Sequence, residues 1–466
     1  MLTEKEIPWM TFEQSLSYLL SLGHETLAIK LELTNTQKLL AALGNPHKHL
    51  FSVQIAGTNG KGSTAVMLDS ICGAAGIRTG RFTSPHLISI TERISISGQE
   101  ISRDEFARQT SRVKAAAERL VKQGDLKALP TFFEQVTAVA LLTFCEAKVE
   151  LAILETGLGG RLDSTTVAGA EIVAITPIAM DHEEHLGDTL AKIAAEKAAI
   201  IRPGVDAVIA PQDAEALNVI LEQCRGCQVE PRLIAGNNAI FNSPAADHID
   251  DRNSRLLPCA TEDGRICIAL RTTDEELESV RVGLRGWHQL TNVAVAISLA
   301  ESLRERGFEI SADAVKRGIA SAKHPGRLEF REGTPRILFD GAHNPAAARA
   351  LRDYLDQFVA QPITLIFGAM RDKALREMAA SLFSKGRAVV LTEFDNPRAA
   401  SIEALRAASP ADFDPARFQH AASIKDALWI ANKVTPADGL ICITGSLYLV
   451  GAAQEILRQQ SASVSG

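Results

Sequence analysis

The sequence predicts an α/β protein built in two parts, and three features of the chain support this. First, short apolar runs rich in β-forming residues alternate with helical patterns along most of the 466 residues, as is typical of mostly parallel, doubly wound sheets. Second, the breaker cluster His324-Pro325-Gly326 interrupts the alternation. Third, residues from about 228 to 285 carry short β-like pieces among polar turns, which predicts a small antiparallel appendage.

The segment before the first strand shows two helical patterns. Apolar residues recur at helical spacing in both: Phe12, Leu16, Leu19 and Leu20 in the first, and Leu39, Leu40 and Leu43 in the second. Strand candidates then follow at 52–56, 78–83, 150–155, 172–176 and 207–210, and later helices are expected at 289–304 and 312–322.

A second alternating series follows the breaker cluster. Its strand candidates are 337–339, 363–367, 388–391 and 440–443, with helices between them, so a smaller Rossmann-like α/β domain is expected. We therefore predict an N-terminal domain of residues 1–323 and a C-terminal domain of residues 324–466.

A glycine-rich loop follows the first strand candidate. Residues 56–64 read AGTNGKGST and open a helical run from Ala65 to Ala75. Strand, glycine loop and helix in this order bind phosphate, because glycines let backbone N–H groups turn inward and the helix N-terminus is partially positive. Lys61 adds a full charge, and Ser63 or Thr64 a hydroxyl for Mg²⁺. Only two residues separate Gly57 from the next glycine. This departure from the Walker A spacing favours a particular kind of ligase within a P-loop ATPase-like domain.

Chemistry-bearing residues follow three further strand candidates. Ser84 comes after the strand that ends near Phe82, Glu155 closes an apolar run, and Asp181-His182 follows another. Since ligands bind beyond the carboxyl ends of strands in open α/β sheets, four strand ends are expected to meet at one edge. A hydroxyl and a carboxylate there suit Mg²⁺ held between phosphates, with histidine the less typical ligand. Taken singly, each residue also fits an ordinary turn or capping role.

Lys197 lies in a predicted helix among alanines. A lysine in such a helix usually extends to water. If it is buried instead, desolvation lowers its pKa and leaves a neutral amine, which reacts with CO₂ to form a carbamate, an anionic metal ligand. The residues around it leave both interpretations open.

Composition argues against several classes of function. The net charge of −7 gives no support for a nucleic-acid partner. The longest apolar runs, such as 137–145, are too short to cross a bilayer, and charged residues occupy the place of a signal-peptide core. A cytoplasmic enzyme is expected. Seven scattered cysteines argue against a disulfide framework, and the lone CxxC at Cys224 and Cys227 is interpreted as two reduced thiols at a helix end.

Together these motifs resemble the folylpolyglutamate synthase and dihydrofolate synthase family, a branch of the ATP-dependent Mur ligase superfamily. The resemblance rests mainly on the segments 57–63 (GTNGKGS), 83–87 (TSPHL) and 155–163 (ETGLGGRLD) and runs in order from about Phe12 to Gly451. Further matches are Asp181-His182 with Leu186-Gly187, 196–198 (EKA), His288-Gln289 with Asn292, 325–329 (PGRLE), 340–345 (DGAHNP) and 445–448 (GSLY). The N-terminal domain would then be of the Mur ligase central type.

The resemblance also implies roles by position. ATP phosphates would be bound by Asn59, Gly60, Lys61, Gly62 and Ser63, and ATP would also be contacted by Asn292 on its adenine side and by Arg327 and Asp340. One Mg²⁺ would be held by Ser84 and Glu155 and a second by His182. Lys197 would be carbamylated, and His343 would lie near the transferred phosphate. Two departures from the family pattern, at Ala199 and at residues 164–166 (STT), remove none of these groups but concern the loop after Arg161.

The implied reaction is amide formation through an acyl phosphate, with L-glutamate as the amine. The carboxylate donor is dihydropteroate, a folate or both, and we expect a bifunctional, monomeric enzyme with small-molecule substrates only. Residues 130–134 (PTFFE) either border the pterin region, with aromatic rings for stacking, or form ordinary core at a helix start.

Two other functions compete with this one. A Mur-type ligase acting on a nucleotide-linked sugar is disfavoured because the segment before the phosphate loop is too short for a nucleotide-sugar domain. A regulatory ATPase that forms no amide is disfavoured by the combination of Lys61, Glu155, Lys197 and His343. Glutamate chain length and the preferred folate form stay open.

Overall fold

The computed structural model describes residues 8–23, 33–234, 257–261, 263–271 and 276–464. Within these ranges the chain forms an eight-stranded, a three-stranded and a six-stranded sheet. None of the helices in these ranges combines the length and the apolar content needed to cross a membrane.

Two helices precede the first sheet, as predicted. They are α1 (Phe12–Ser21) and α2 (Thr34–Ala42). Thr11 and Gln14 cap the start of α1 reciprocally, each side chain bonding the other's backbone N–H. Leu19, Leu39 and Leu40 are fully buried in a core that lies against one end of the large sheet.

The large sheet is mostly parallel. Its strands are β1 (Ser52–Ala56), β2 (Thr79–Phe82), β3 (Ile94–Ile96), β4 (Gln99–Glu100), β5 (Leu151–Glu155), β6 (Ile172–Ile175), β7 (Asp206–Ile209) and β8 (Arg232–Leu233), in the spatial order β4-β3-β2-β5-β1-β6-β7-β8. Only the β2–β3 and β3–β4 pairs are antiparallel. Every residue of β1, β5 and β6 is buried, as is usual for parallel strands covered on both faces.

Helices cover both faces of this sheet. They are α3 (Lys61–Ala74), α4 (Arg103–Gln123), α5 (Phe132–Glu146), α6 (Glu183–Leu186), α7 (Leu190–Ala198), α8 (Ala214–Cys227), α9 (Gln289–Glu305) and α10 (Ala312–Ser321). Helices α3, α9 and α10 share a core with Val53 and Ile153 on one face. On the other face α4 and α5 pack on Leu154, and α7 and α8 pack on Ile175. The predicted doubly wound arrangement is therefore confirmed.

The antiparallel appendage predicted for residues 228 to 285 is present in part of that range: Arg232–Leu233 instead joins the large sheet as β8, and residues 235–256, 262 and 272–275 lie outside the described residues. The appendage consists of β9 (Leu257–Ala260), β10 (Arg265–Arg271) and β11 (Glu276–Arg285) in the order β11-β10-β9. Ile266 and Val282 are buried in the same core as α3, α9 and α10, so this small sheet extends that face of the domain.

The six-stranded sheet forms the Rossmann-like C-terminal part. Its strands are β12 (Glu329–Arg331), β13 (Arg336–Phe339), β14 (Ile363–Phe367), β15 (Gly386–Thr392), β16 (Phe418–Ala421) and β17 (Leu440–Thr444), in the order β12-β13-β17-β14-β15-β16. All neighbours except β12 and β13 are parallel. Its helices are α11 (Pro345–Phe358), α12 (Leu375–Leu382), α13 (Ile402–Ala407), α14 (Ile424–Val434) and α15 (Leu447–Val464). The division of the chain between residues 323 and 324 stays a prediction.

The structure differs from the predicted elements mainly at sheet edges and at one helix start. Strands β3, β4, β8, β12 and β16 were not predicted. Four of them are edge strands and β3 lies next to the edge strand β4, and such short strands are specified by pairing with a neighbour rather than by an apolar run. Helix α3 begins at Lys61, four residues before the predicted start, since Gly60 in a left-handed conformation serves as its N-cap.

Candidate active site

Four neighbouring strands end at the same edge of the large sheet. The order β2-β5-β1-β6 is parallel throughout, so the residues after these strands meet there, as predicted. They help to line a cavity of about 510 Å³ between the large sheet and the C-terminal part. All the predicted site residues line it: Asn59, Gly60, Lys61, Gly62, Ser63, Ser84, Glu155, His182, Lys197, Asn292, Arg327, Asp340 and His343.

The phosphate loop is held tightly against neighbouring backbone. The backbone N–H groups of Thr58 and Asn59 both donate to the carbonyl oxygen of Pro177, at 3.1 Å each. Gly60 has a φ of +92°, and a Cβ atom there would lie 2.2 Å from Oδ1 of Asn292. Only glycine fits this position, because a side chain would be strained and would also collide with α9.

The loop's two hydroxyl candidates have different environments. Ser63 lines the cavity, and its Oγ lies 3.1 Å from Nδ1 of His324. Thr64 is fully buried in the interior. Of the two residues that the sequence offers, Ser63 is therefore the one placed to meet a ligand.

Two lysines converge on one carbonyl oxygen of the loop. Nζ of Lys61 donates to the oxygens of Gly57 (3.1 Å) and Thr58 (3.3 Å). Nζ of Lys197 donates to the same Gly57 oxygen at 2.8 Å. Lys197 is only 4% exposed, and burial, reinforced by the charge of Lys61, lowers its pKa to about 7. The burial on which the carbamate hypothesis depends is therefore present.

Glu155 is a buried carboxylate at the end of β5. Its Oε2 accepts the backbone N–H of Ser84 at 3.2 Å. Burial raises its pKa, and the charge of Lys61 and the Ser84 N–H partly oppose this. In the described part of the chain, no three His, Cys, Asp or Glu side chains gather into a metal-binding cluster. The carboxylate of Glu155 and the hydroxyl of Ser84 fit Mg²⁺, which commonly uses one or two protein oxygens and takes its other ligands from water and phosphate.

Asp181, which precedes His182, is joined to the C-terminal part of the cavity. Oδ1 of Asp181 pairs with Nζ of Lys373 at 2.5 Å, and both side chains are 8% exposed. Burial alone would raise the pKa of Asp181, but His182 and Lys373 together hold it well below its ordinary value. Burial lowers the pKa of His182 to about 3, so its imidazole is neutral and available as a ligand.

The C-terminal wall of the cavity is organised around Asp340. Its two carboxylate oxygens accept the N–H groups of Leu328 and Ala342, at 3.0 Å each, and burial raises its pKa against the charge of Arg327. Nη1 of Arg327 donates to the carbonyl oxygen of Gly341 at 3.1 Å. Asp340 therefore shapes the loop that carries His343.

His343 has a defined tautomer. Its Nδ1 lies 2.8 Å from the carbonyl oxygen of Gly341, which can only accept, so Nδ1 carries the proton. Burial lowers the pKa of His343 to about 4, and Nε2 is left as a hydrogen-bond acceptor at the cavity.

Residues 130–134 divide between the core and the cavity, and their predicted place at a pterin stays a prediction. Phe132 is 4% exposed and lies under the guanidinium of Arg93, 5.3 Å from it, so it belongs to the core. Phe133 lines the cavity and contacts Gly157. Thr131 and Glu134 form a capping box at the start of α5.

Sequence reasoning assigned no role to three residues at the site: Lys373 and His324, which line the cavity, and Asn344, a member of the matched segment 340–345, which bonds the phosphate loop. Nδ2 of Asn344 donates to Oδ1 of Asn59 at 2.9 Å and so joins the C-terminal part to the phosphate loop. Lys373 lies beyond the carboxyl end of β14, so the strand-end rule applied to the second sheet could have found it. His324 was noticed only as part of a breaker cluster.

The CxxC interpretation agrees with the structure. Cys224 and Cys227 lie in the last turn of α8, and both are free thiols. Burial raises the pKa of Cys224 to about 11, which disfavours a reactive thiolate.

Fold and cavity together define a nucleotide-dependent ligase, and comparison with known proteins specifies which one. Residues 55–300 match the Mur ligase middle domain, and residues 326–447 match the Mur ligase glutamate ligase domain. A Bacillus subtilis protein named dihydrofolate synthase/folylpolyglutamate synthase is 34% identical over 94% of this chain and 97% of its own. A Mycobacterium tuberculosis protein of the same name is 32% identical over 91% and 89%.

Solved structures agree with these sequence relatives. Mycobacterium tuberculosis folylpolyglutamate synthase complexed with ADP superimposes with a TM-score of 0.86 at 31% identity, over 96% of this chain and 98% of that one. E. coli FolC in complex with DHPP and ADP gives 0.81 at 29% identity, over 97% and 99%. The chain therefore belongs to the folylpolyglutamate synthase/dihydrofolate synthase family of Mur ligases, as its motifs predict, and is an ATP-dependent ligase.

Proposed function

We propose that this ligase joins L-glutamate to the carboxylate of dihydropteroate and of folates, using ATP. The observation that carries the proposal is the meeting of the phosphate loop, Glu155, Lys197 and His343 in one cavity. The Bacillus subtilis and Mycobacterium tuberculosis relatives are both named for the two activities, and these names support a bifunctional enzyme.

The first step is phosphoryl transfer. A carboxylate oxygen of the acceptor attacks the γ-phosphorus of ATP, the bond to the bridging oxygen breaks, and ADP leaves behind an acyl phosphate. One anion must approach another, so positive charge at the phosphates is the main requirement. Lys61 and Arg327, which both line the cavity, supply it.

Magnesium would add to the positive charge that Lys61 and Arg327 supply at the phosphates. Ser84 and Glu155 would hold one ion and His182 a second, and bound Mg²⁺ neutralises phosphate charge and orients the transferred group. The amine of Lys197 would react with CO₂ to give a carbamate and a proton, and so place a second anion beside the phosphate loop.

The second step forms the amide. The amine nitrogen of L-glutamate attacks the acyl carbon, the carbon–oxygen bond to phosphate breaks, and the amine loses a proton. Nε2 of His343 is the acceptor that its tautomer leaves at the cavity, and we assign it to accept a hydrogen bond from the attacking amine, while the leaving phosphate takes up the proton.

The acyl phosphate must be kept from water. Two adjacent contacts join the edge of the large sheet to the C-terminal part: Asp181 with Lys373, and Asn59 with Asn344, whose Nδ2 also lies 3.5 Å from Oδ2 of Asp181. We infer that they form when substrates draw the two parts of the chain together. Small-angle scattering that stays unchanged on adding ATP and acceptor would contradict this closure.

The testing experiment is phosphate release from ATP and Mg²⁺, with L-glutamate present or absent and with dihydropteroate and tetrahydrofolate as separate acceptors. Release that needs glutamate with both acceptors supports the bifunctional enzyme, and release with one names a single activity. Release that ignores glutamate and both acceptors would favour the regulatory ATPase. The monomeric state, the cytoplasmic location and the absence of a nucleic-acid partner stay predictions.

A further inference from the structure

We propose that His324 is a positioning residue for nucleotide binding: it fixes the hydroxyl of Ser63 in the phosphate loop from the joint between the two parts of the chain. The inference rests on the proposed binding of ATP phosphates by that loop. It concerns a residue that the reaction steps above do not use.

The geometry of His324 is specific to the loop. Its Nδ1 lies 3.1 Å from Oγ of Ser63. Its ring also lies directly over Gly62, because a Cβ atom there would be 2.9 Å from Cε1 and 3.3 Å from Nε2 of the imidazole. The ring therefore occupies the space that a side chain at residue 62 would need, and it reaches the next hydroxyl along the loop.

The hydrogen bond between His324 and Ser63 is made by a neutral imidazole. Burial, with the charges of Arg327 and Arg81, lowers the pKa of His324 to about 3. The imidazole is then neutral, and a second positive charge is not added to the loop. A neutral ring has one donor and one acceptor nitrogen, so in either tautomer Nδ1 can bond the serine hydroxyl and fix its direction.

The turn formed by residues 324–327 also reaches the C-terminal loop that carries His343. The carbonyl oxygen of His324 accepts the N–H of Arg327 at 3.3 Å, and the guanidinium of Arg327 donates to Gly341 in the loop that carries His343. One short turn thus connects Ser63 to the C-terminal loop. Movement at the joint would shift the hydroxyl and Arg327 together.

The test compares two substitutions that share the loss of imidazole. In His324→Phe the ring still covers Gly62 but no nitrogen faces Ser63, whereas in His324→Asn an amide atom takes the place of Nδ1. We expect His324→Phe to raise both the KM for ATP and the Kd for ADP about tenfold, the effect of one lost hydrogen bond, with kcat changed less. His324→Asn should stay within about threefold of the parent.

Ser63→Ala supplies the partner for a double-mutant cycle. If His324 acts through Ser63, combining His324→Phe with Ser63→Ala should weaken ADP binding no more than Ser63→Ala alone. Additive effects, or a loss in His324→Asn as large as or larger than in His324→Phe, would overturn the proposal; a larger loss in His324→Asn would indicate that the ring acts by packing on Gly62. Circular dichroism melting curves check that each variant is folded.

Calorimetry with ADP separates this inference from the proposed reaction. A parent protein that binds ADP but releases no phosphate with either acceptor contradicts the assigned substrates and leaves the His324 comparison valid. A folded parent that binds no ADP overturns both.

Discussion

Helices α3 and α7 each bring a lysine to the carbonyl oxygen of Gly57, yet the two amines differ. Lys61 is the first residue of α3 and follows the loop directly, so its half-buried side chain stands where phosphates would lie. Lys197 comes from the last turn of α7 and is 4% exposed, and its pKa falls to about 7. Both side chains are lysine amines, so it is burial that gives Lys197 the lowered pKa that carbamate formation requires.

The largest expected effect tests the cation. Lys61→Ala removes the full charge at the phosphates while leaving Gly57 and Gly60 in place. We expect kcat/KM for ATP-dependent ligation to fall at least about 10³-fold, as for other charges that neutralise a transferred phosphoryl group. Steady-state kinetics on the folded variant measure this. Normal turnover would remove the phosphate-loop assignment.

The next effect tests the amine. Lys197→Ala removes the group that would carry a carbamate, and we expect a loss of about 10²-fold in kcat. A short carboxylic acid such as acetate should restore part of the activity by supplying the missing anion. Lys61→Ala is the matched control, because an added carboxylate cannot replace a cation and should not rescue it. Rescue of both variants, or a fully active Lys197→Ala, would contradict the distinction.

The contrast between the two lysines shows where sequence reasoning succeeds. Lys61 could be predicted because its role follows from neighbours in the chain: a strand, glycines and a helix start. Ser84 and Glu155 could be placed in the same way, since the ends of parallel strands meet at one edge whatever the details of packing. The same local signals explain why the central strands β1 and β14 agree with their predicted bounds.

Lys197 shows where local signals end. Its burial depends on how α7 packs behind the loop, and an alanine-rich helix is compatible with either a buried or an exposed lysine. The pairs Asp181–Lys373 and Ser63–His324 depend likewise on how two distant parts of the chain meet. Edge strands such as β16 were missed for a related reason, because a neighbouring strand rather than their own composition specifies them.

A smaller effect concerns pH and CO₂. Below its pKa of about 7 Lys197 is mostly protonated, and above it the neutral amine that reacts with CO₂ predominates. At a fixed concentration of dissolved CO₂, we therefore expect the initial rate of carbamate formation, followed with ¹³C-bicarbonate by NMR, to fall about tenfold per unit as the pH drops below 7, in proportion to the neutral amine. Ligase activity should fall when CO₂ is removed from the buffer and return when bicarbonate is added. A rate that keeps rising about tenfold per unit above pH 8, with no plateau, would count against a lowered pKa.

The smallest expected effects are opposite shifts in the pH midpoint of carbamate formation at Lys197. The charge of Lys61 lowers the pKa of Lys197, whereas the charge of Asp181 raises it. Lys61→Met should therefore shift the midpoint of carbamate formation to higher pH, and Asp181→Asn should shift it to lower pH. Both shifts are measured by the same ¹³C titration, with Lys192→Met on the exposed face of α7 as the control that leaves the midpoint unchanged. Shifts of the same sign would show that altered packing, rather than charge, controls the amine, because removing opposite charges must act oppositely on one ammonium group.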